Sequence, residues 1–201
     1  MTNKDDKITP VLYEALELAF KLHGHDARKK STVPYIAHLL AVCALVQLDG
    51  GGEDEAIAAL LHDALEDKPK EITRCEINNS FGEKVLNLIE ISTDTPCDFS
   101  GGKKPPWKKR KKAYLKHIRE TDPSLLRVTI ADKIDNARAI LVDHQRLGDE
   151  VWERFNAGKK AQLWYYRNCI KAFDATGYSG PMLEELRRLV KKMRKQVGNP
   201  T

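Results

Sequence analysis

Ile57-Ala58-Ala59-Leu60-Leu61-His62-Asp63-Ala64-Leu65-Glu66-Asp67 is the stretch that decides how this chain folds. Ile57, Ala58, Leu60, Leu61 and Leu65 recur at helical spacing, and Glu53 and Asp54 suit the first turn of that helix, where the dipole is positive. Four ionisable groups then fall within six residues of a largely apolar helix. Burying them is costly unless something compensates, and a bound cation would. Adjacent helix residues point about 100° apart, so His62 and Asp63 reach one ion only if it sits beside the helix edge between them. Glu66 lies one turn after His62, and Asp67 one turn after Asp63. The helix thus offers two ligands and, one turn on, two carboxylates able to handle protons.

The same period runs outward in both directions. Leu12, Ala15, Leu16, Ala19 and Leu22 predict a helix, with Thr9-Pro10 as its cap and first turn. Tyr35 to Leu48 predicts a second, stopped by Asp49-Gly50-Gly51-Gly52. Glu71 to Asn79 and Phe81 to Ile91 read as shorter helices. After a loop from Thr93 to Pro106, helices are expected over Trp107–Glu120, from Pro123 to about residue 142, from Asp149 to about residue 175, and beyond Pro181. No stretch alternates with the period of a strand. The expectation is one all-α domain over residues 1–201, a helical bundle with its motifs in about residues 10–145 and residues 149–197 packing on them.

Composition agrees with a soluble globule: of 201 residues, 41% are hydrophobic and 31% charged. The polar start MTNKDDKITP offers no signal sequence, and nowhere do about 18 apolar residues follow one another. Cys43, Cys75, Cys97 and Cys169 are scattered, with no C-x-x-C pair, as befits reduced thiols in the cytoplasm. The net charge of +5 concentrates in Lys103–Lys112 and Arg187–Lys195. The second cluster interleaves with Leu186, Leu189, Val190 and Met193, the pattern of a solvated face on an amphipathic helix. The first could meet a polyphosphate, a membrane surface or nucleic acid. Nucleic acid ranks last, because the patch is short and only Trp107 offers a stacking surface.

His-Asp occurs at both His25-Asp26 and His62-Asp63, and reversed at Asp143-His144, so the dipeptide alone carries little. His25-Asp26 and Asp143-His144 fall at helix ends among charged neighbours and read as solvated residues. Two ligands do not hold a catalytic metal. His38, in Tyr35-Ile36-Ala37-His38, and Asp132, in Ile130-Ala131-Asp132-Lys133-Ile134-Asp135-Asn136, are the further candidates. Taken singly, His38 reads more simply as a core histidine, and Asp132 as a carboxylate pairing with Lys133 or Arg138.

Together these segments run in the order H…HD…D and resemble the HD superfamily, within it the hydrolase domain of RelA/SpoT-type alarmone enzymes and the small alarmone hydrolases. The likeness covers about Leu12 to Arg138. It implies His38, His62, Asp63 and Asp132 as metal ligands and Glu66 and Asp67 as the catalytic acidic pair. It implies Arg28, Lys29, Asn136 and Arg138 on the substrate side. Lys103, Lys104 and Lys108 compete for a family lysine in a region that does not align cleanly. Trp164-Tyr165-Tyr166 could supply a substrate-side tyrosine, although packing of a long helix explains it more simply. The implied cofactor is a divalent metal, Mn²⁺ first, with Fe, Ni or Zn also compatible with mixed N and O ligands.

The implied reaction removes the 3′-pyrophosphate of ppGpp or pppGpp, a small-molecule nucleotide, in the cytoplasm and without a membrane. The resemblance leaves a homo-oligomer open. The rival readings are an HD phosphohydrolase acting on a nucleoside monophosphate or on the 2′-phosphate of NADPH, and an antitoxin-like partner of an alarmone synthetase.

Overall fold

A computed structural model describes residues 9–95, 102 and 104–197. The described residues are helical apart from turns and one isolated antiparallel bridge, Ala27 to Pro34. They gather into two compact units, Met1–Gly101 and Gly102–Thr201.

The first unit holds α1 (Pro10–His23), α2 (Ile36–Leu48), α3 (Glu53–Leu61), α4 (Ala64–Asp67), α5 (Arg74–Phe81) and α6 (Glu83–Ser92). Thr9 caps α1 as expected, its hydroxyl accepting from the Leu12 N–H at 3.2 Å. Gly50, at φ 82°, ends α2 in a conformation that a residue with a Cβ rarely adopts. Glu55 accepts the Gly52 N–H at 3.0 Å and starts α3. Every residue of α3 from Ala56 to Leu61 is buried, because α1, α2 and α6 all pack against it. The sequence pattern predicted one apolar face, whereas α3 is the central helix of its unit and is covered all round. α5 begins at Arg74 rather than residue 71. Thr73 and Glu76 cap each other, the Thr73 N–H donating to Glu76 at 2.8 Å.

The second unit holds α7 (Trp107–Glu120), α8 (Arg127–Leu147), α9 (Gly158–Thr176) and α10 (Pro181–Val197). Short 3₁₀ turns at Pro123–Leu125 and Gly148–Arg154 link them. The predicted helix from Asp149 is thus split, since Gly158 takes φ 72° and α9 starts there. α8 and α9 each pack on α10. Met182, Leu183, Leu186, Leu189, Val190 and Met193 are buried while Arg188, Lys191 and Lys192 are exposed, the amphipathic arrangement expected of α10. Tyr165 and Tyr166 are buried in the core of this unit. No described helix is long and apolar enough to cross a membrane. Cys43 and Cys169 are buried and Cys75 is exposed, with no disulfide among the described residues; Cys97 lies outside them.

Candidate metal centre

The α-helix that carries His62 does not run on through Asp63. α3 ends at Leu61, His62 and Asp63 form a turn, and α4 starts at Ala64. This corrects the uninterrupted helix predicted from the sequence. Asp63 relaxes to φ −96°, ψ −5°. Its carbonyl then accepts the N–H groups of both Glu66 (3.1 Å) and Asp67 (2.8 Å). Side chains that an ideal helix would splay by about 100° instead converge. His62 Nε2 comes within 3.1 Å of Asp63 Oδ2.

His38, on α2, brings its Nε2 to 3.7 Å from the same oxygen, and its ring lies 5.2 Å from that of His62. Both imidazoles are buried. His62 Nδ1 lies 2.8 Å from the Ala59 carbonyl, which can only accept, so Nδ1 carries the hydrogen. In the neutral tautomer with its hydrogen on Nδ1, the Nε2 lone pair lies on the side of the Asp63 carboxylate oxygen, which is the tautomer a metal ligand uses. Neutral imidazole nitrogens and a carboxylate oxygen facing a common point are the donor set that a divalent transition metal takes. The residues present fit such an ion.

Tyr35 completes this half of the site, its hydroxyl donating to Asp63 Oδ2. Its ring packs 5.1 Å from that of His23 and 5.5 Å from that of His38. Tyr35 has no role of its own in the sequence motifs. Its position three residues before His38, one helical turn, was the available signal. Glu66 is half-buried and accepts the Thr93 hydroxyl at 3.1 Å, whereas Asp67 is exposed. Arg28 and Lys29 lie in the loop between α1 and α2, Arg28 half-buried and Lys29 exposed.

The two decoy pairs separate from this group. His25 is exposed. Asp143 pairs with Arg154, and His144 lies 3.2 Å from Asp149. Asp26, however, is not a plain solvated residue: it meets His23 at 2.9 Å and Lys68 at 3.0 Å. Burial lowers the pKa of His23 against the opposing pull of Asp26, so the ring is neutral in the folded protein near pH 7.

In the second unit, α8 buries Asp132 together with Lys133. Lys133 Nζ and Asn136 Nδ2 each donate to one oxygen of the Asp132 carboxylate. The ammonium lies 5.1 Å over the Tyr114 ring and 6.0 Å from that of Tyr165. Burial, the largest single influence, pulls the Lys133 pKa down, but Asp132, Tyr114, Tyr165 and Cys169 together outweigh it and leave it well above the ordinary lysine value. The pairing with Lys133 weighed in the sequence is therefore present, and it orients the carboxylate. Arg138 instead binds Glu185 of α10, at 2.8 and 3.1 Å. Lys108 lies 5.9 Å over the Trp164 ring, and Lys104 is half-buried in the loop before α7. Lys103 lies outside the described residues.

Two outcomes follow for the metal-free protein. Asp132→Ala strands a buried ammonium and lowers stability by about 3–5 kcal/mol, whereas Asp132→Leu combined with Lys133→Met recovers most of that loss. Urea unfolding distinguishes the two, and an Asp132→Ala variant of unchanged midpoint would contradict the pairing. For His23 the folded pKa lies below the ordinary 6.5, so below that pH the unfolded chain binds more protons. Stability is therefore fully present above pH 6.5 and falls as the pH drops toward the folded value. His23→Gln should flatten this slope between thermal melts at pH 7.5 and 5; an identical slope would place its origin elsewhere.

A family model described as HD domain matches residues 15–161. Guanosine-3′,5′-bis(diphosphate) 3′-pyrophosphohydrolase of Aquifex aeolicus is 29% identical over 193 residues, 92% of this chain and 26% of that protein. Guanosine-3′,5′-bis(diphosphate) 3′-pyrophosphohydrolase MESH1 of Xenopus tropicalis is 32% identical over 145 residues, 71% of this chain and 74% of the relative. The chain thus spans about a quarter of the bacterial relative's length and about three quarters of the frog relative's. The crystal structure of lmo0812 from Listeria monocytogenes EGD-e superposes with a TM-score of 0.68 at 28% identity, over 79% of this chain and 99% of that one. A metazoan SpoT ortholog described as hydrolysing ppGpp shares the fold, with a TM-score of 0.72 at 20% identity over 94% and 97% of the two chains. With the family model spanning residues 15–161, the chain belongs to the HD-domain family, and it is homologous to the guanosine-3′,5′-bis(diphosphate) 3′-pyrophosphohydrolases.

Proposed function

We propose that this chain is a metal-dependent 3′-pyrophosphohydrolase acting on ppGpp and pppGpp in the cytoplasm, with residues 1–201 working as one catalytic domain. The observation that carries the reading is the convergence of His38 Nε2 and His62 Nε2 on Asp63 Oδ2, one turn before Glu66. Asp132 joins His38, His62 and Asp63 as the fourth ligand, in the order the family motif requires. Mn²⁺ is the first choice of ion, and Fe, Ni or Zn suit the same donors. When bound, such an ion supplies Lewis acidity and makes hydroxide available near neutral pH.

The remaining work falls to side chains. Thr93 occupies Oε2 of Glu66. That bond steadies the carboxylate, which orients a water and takes its proton, with Asp67 as the second acidic group. Arg28 and Lys29 bind the nucleotide phosphates, and Lys103, Lys104 and Lys108 are the further cations proposed for the substrate. Asn136 and Lys133 hold the Asp132 carboxylate in one orientation. Arg138, already bound to Glu185, is the remaining substrate-side candidate. Hydroxide attacks the phosphorus bonded to the ribose 3′ oxygen. The P–O bond to the ribose breaks, the 3′ oxygen takes a proton, and pyrophosphate leaves intact beside GDP or GTP.

His62→Ala and Asp63→Ala should purify without stoichiometric metal, while His25→Ala and His144→Ala retain both metal and activity. Elemental analysis decides it, and a full metal complement in Asp63→Ala would refute the ligand set.

Glu66→Gln with Asp67→Asn should keep the metal and lose about 10²- to 10⁴-fold in turnover. In ¹⁸O-labelled water the label should appear in pyrophosphate. Release of single orthophosphates, or turnover of a nucleoside monophosphate or NADPH in place of ppGpp, would assign the site to a sister phosphohydrolase.

A further inference from the structure

Asp26 lies outside the proposed ligand set, yet it joins separate parts of the first unit. Its carboxylate takes the Nδ1 hydrogen of the buried His23, at 2.9 Å, from the end of α1. It also takes the Lys68 ammonium, at 3.0 and 3.2 Å. Lys68 is the residue immediately after Asp67, at the end of α4. The Asp26 backbone makes two further bonds. Its N–H donates to the His23 carbonyl at 3.0 Å, and its carbonyl accepts the Tyr35 N–H at 2.9 Å.

The loop that Asp26 opens is internally closed. The Arg28 N–H donates to Val33 at 2.8 Å, and Ser31 donates back to the Arg28 carbonyl at 2.9 Å. Val33 donates to the Ser31 hydroxyl at 3.0 Å, and Ala27 pairs with Pro34. A loop cross-linked in this way moves as one piece, so whatever fixes Asp26 also fixes the backbone of Arg28. Burial opposes charge on Asp26, but the bonds from Lys68 and His23 prevail and hold its carboxyl below the ordinary range; Asp26 raises Lys68 in turn.

We infer that Asp26 is a positioning residue, a latch between the loop bearing Arg28 and Lys29 and the helix end bearing Glu66 and Asp67. It sets the distance from the cations that receive the substrate phosphates to the carboxylates that handle the proton. Through Tyr35 it also steadies the donor to Asp63. This rests on the proposed roles of Arg28, Lys29, Glu66 and Asp67. It goes beyond them because neither Asp26 nor Lys68 is among the residues proposed to hold the metal, handle the proton or bind the phosphates. The effect on rate comes from geometry, where misplacement by about 1 Å can cost roughly 10²-fold.

The test compares Asp26→Asn, Lys68→Met, their combination, and the reversed pair Asp26→Lys with Lys68→Asp, all in the Mn²⁺-loaded full chain. Each single variant should raise KM for ppGpp by about tenfold or more and lower kcat less. The combination should be no worse than the poorer single variant, because both break one link. The reversed pair should recover part of the loss. Calorimetric Mn²⁺ affinity of Lys68→Met should equal that of the unaltered protein, which a general collapse of the site would not allow. KM shifts below about twofold, additive losses in the combination, or lost Mn²⁺ affinity in Lys68→Met would each overturn the latch. If the unaltered chain binds Mn²⁺ but does not cleave ppGpp, the proposed reaction fails, and the latch is read from calorimetric binding of inorganic pyrophosphate. Weaker binding in both single variants would then support it, and unchanged binding would overturn it.

Discussion

His38 and His62 each present Nε2 to one oxygen of Asp63, and the surrounding first unit restricts all three side chains. His62 cannot turn away, because its other nitrogen donates to the Ala59 carbonyl one helical turn earlier. His38 cannot withdraw, because α2 is apolar on nearly every side and packs against α3. Asp63 is held by the Tyr35 hydroxyl. In the proposed site a cation would meet donors whose orientation is set by these contacts before it binds.

The second unit solves a related problem with a fixed internal charge. Asp132 and Lys133 are neighbours in sequence on a helix that is buried over its first two turns. Two rings, Tyr114 and Tyr165, flank the ammonium, and Asn136 takes the remaining carboxylate oxygen. A buried ion pair of this kind adds little net stability, but it gives the carboxylate one orientation. A fixed orientation suits the ligand role proposed for Asp132, and Lys133 supplies it.

The HD-domain family has a small set of motif residues, and the functional reading depends on what surrounds them. Thr93 on Glu66, Tyr35 on Asp63 and the Asp26–Lys68 link all act one contact away from the proposed chemistry. Each restricts a charged group whose free rotation would blur the spacing on which phosphoryl transfer depends.

The sequence by itself determined the helical class, most helix positions and the ligand candidates, because those follow from short-range periodicity and from rare residue types in a fixed order. Ile57 to Leu61 followed by His62-Asp63 was legible since ionisable groups inside an apolar run demand compensation. The continuous burial of α3, the turn at His62-Asp63 and the split before Gly158 were not. Helical periodicity describes one face of one helix, whereas burial on all sides depends on how many neighbours pack against it. His25-Asp26 and His62-Asp63 are the same dipeptide. Only tertiary structure separated a carboxylate aimed at two buried imidazoles from one linking α1 to Lys68, because residues far apart in the chain set those contacts.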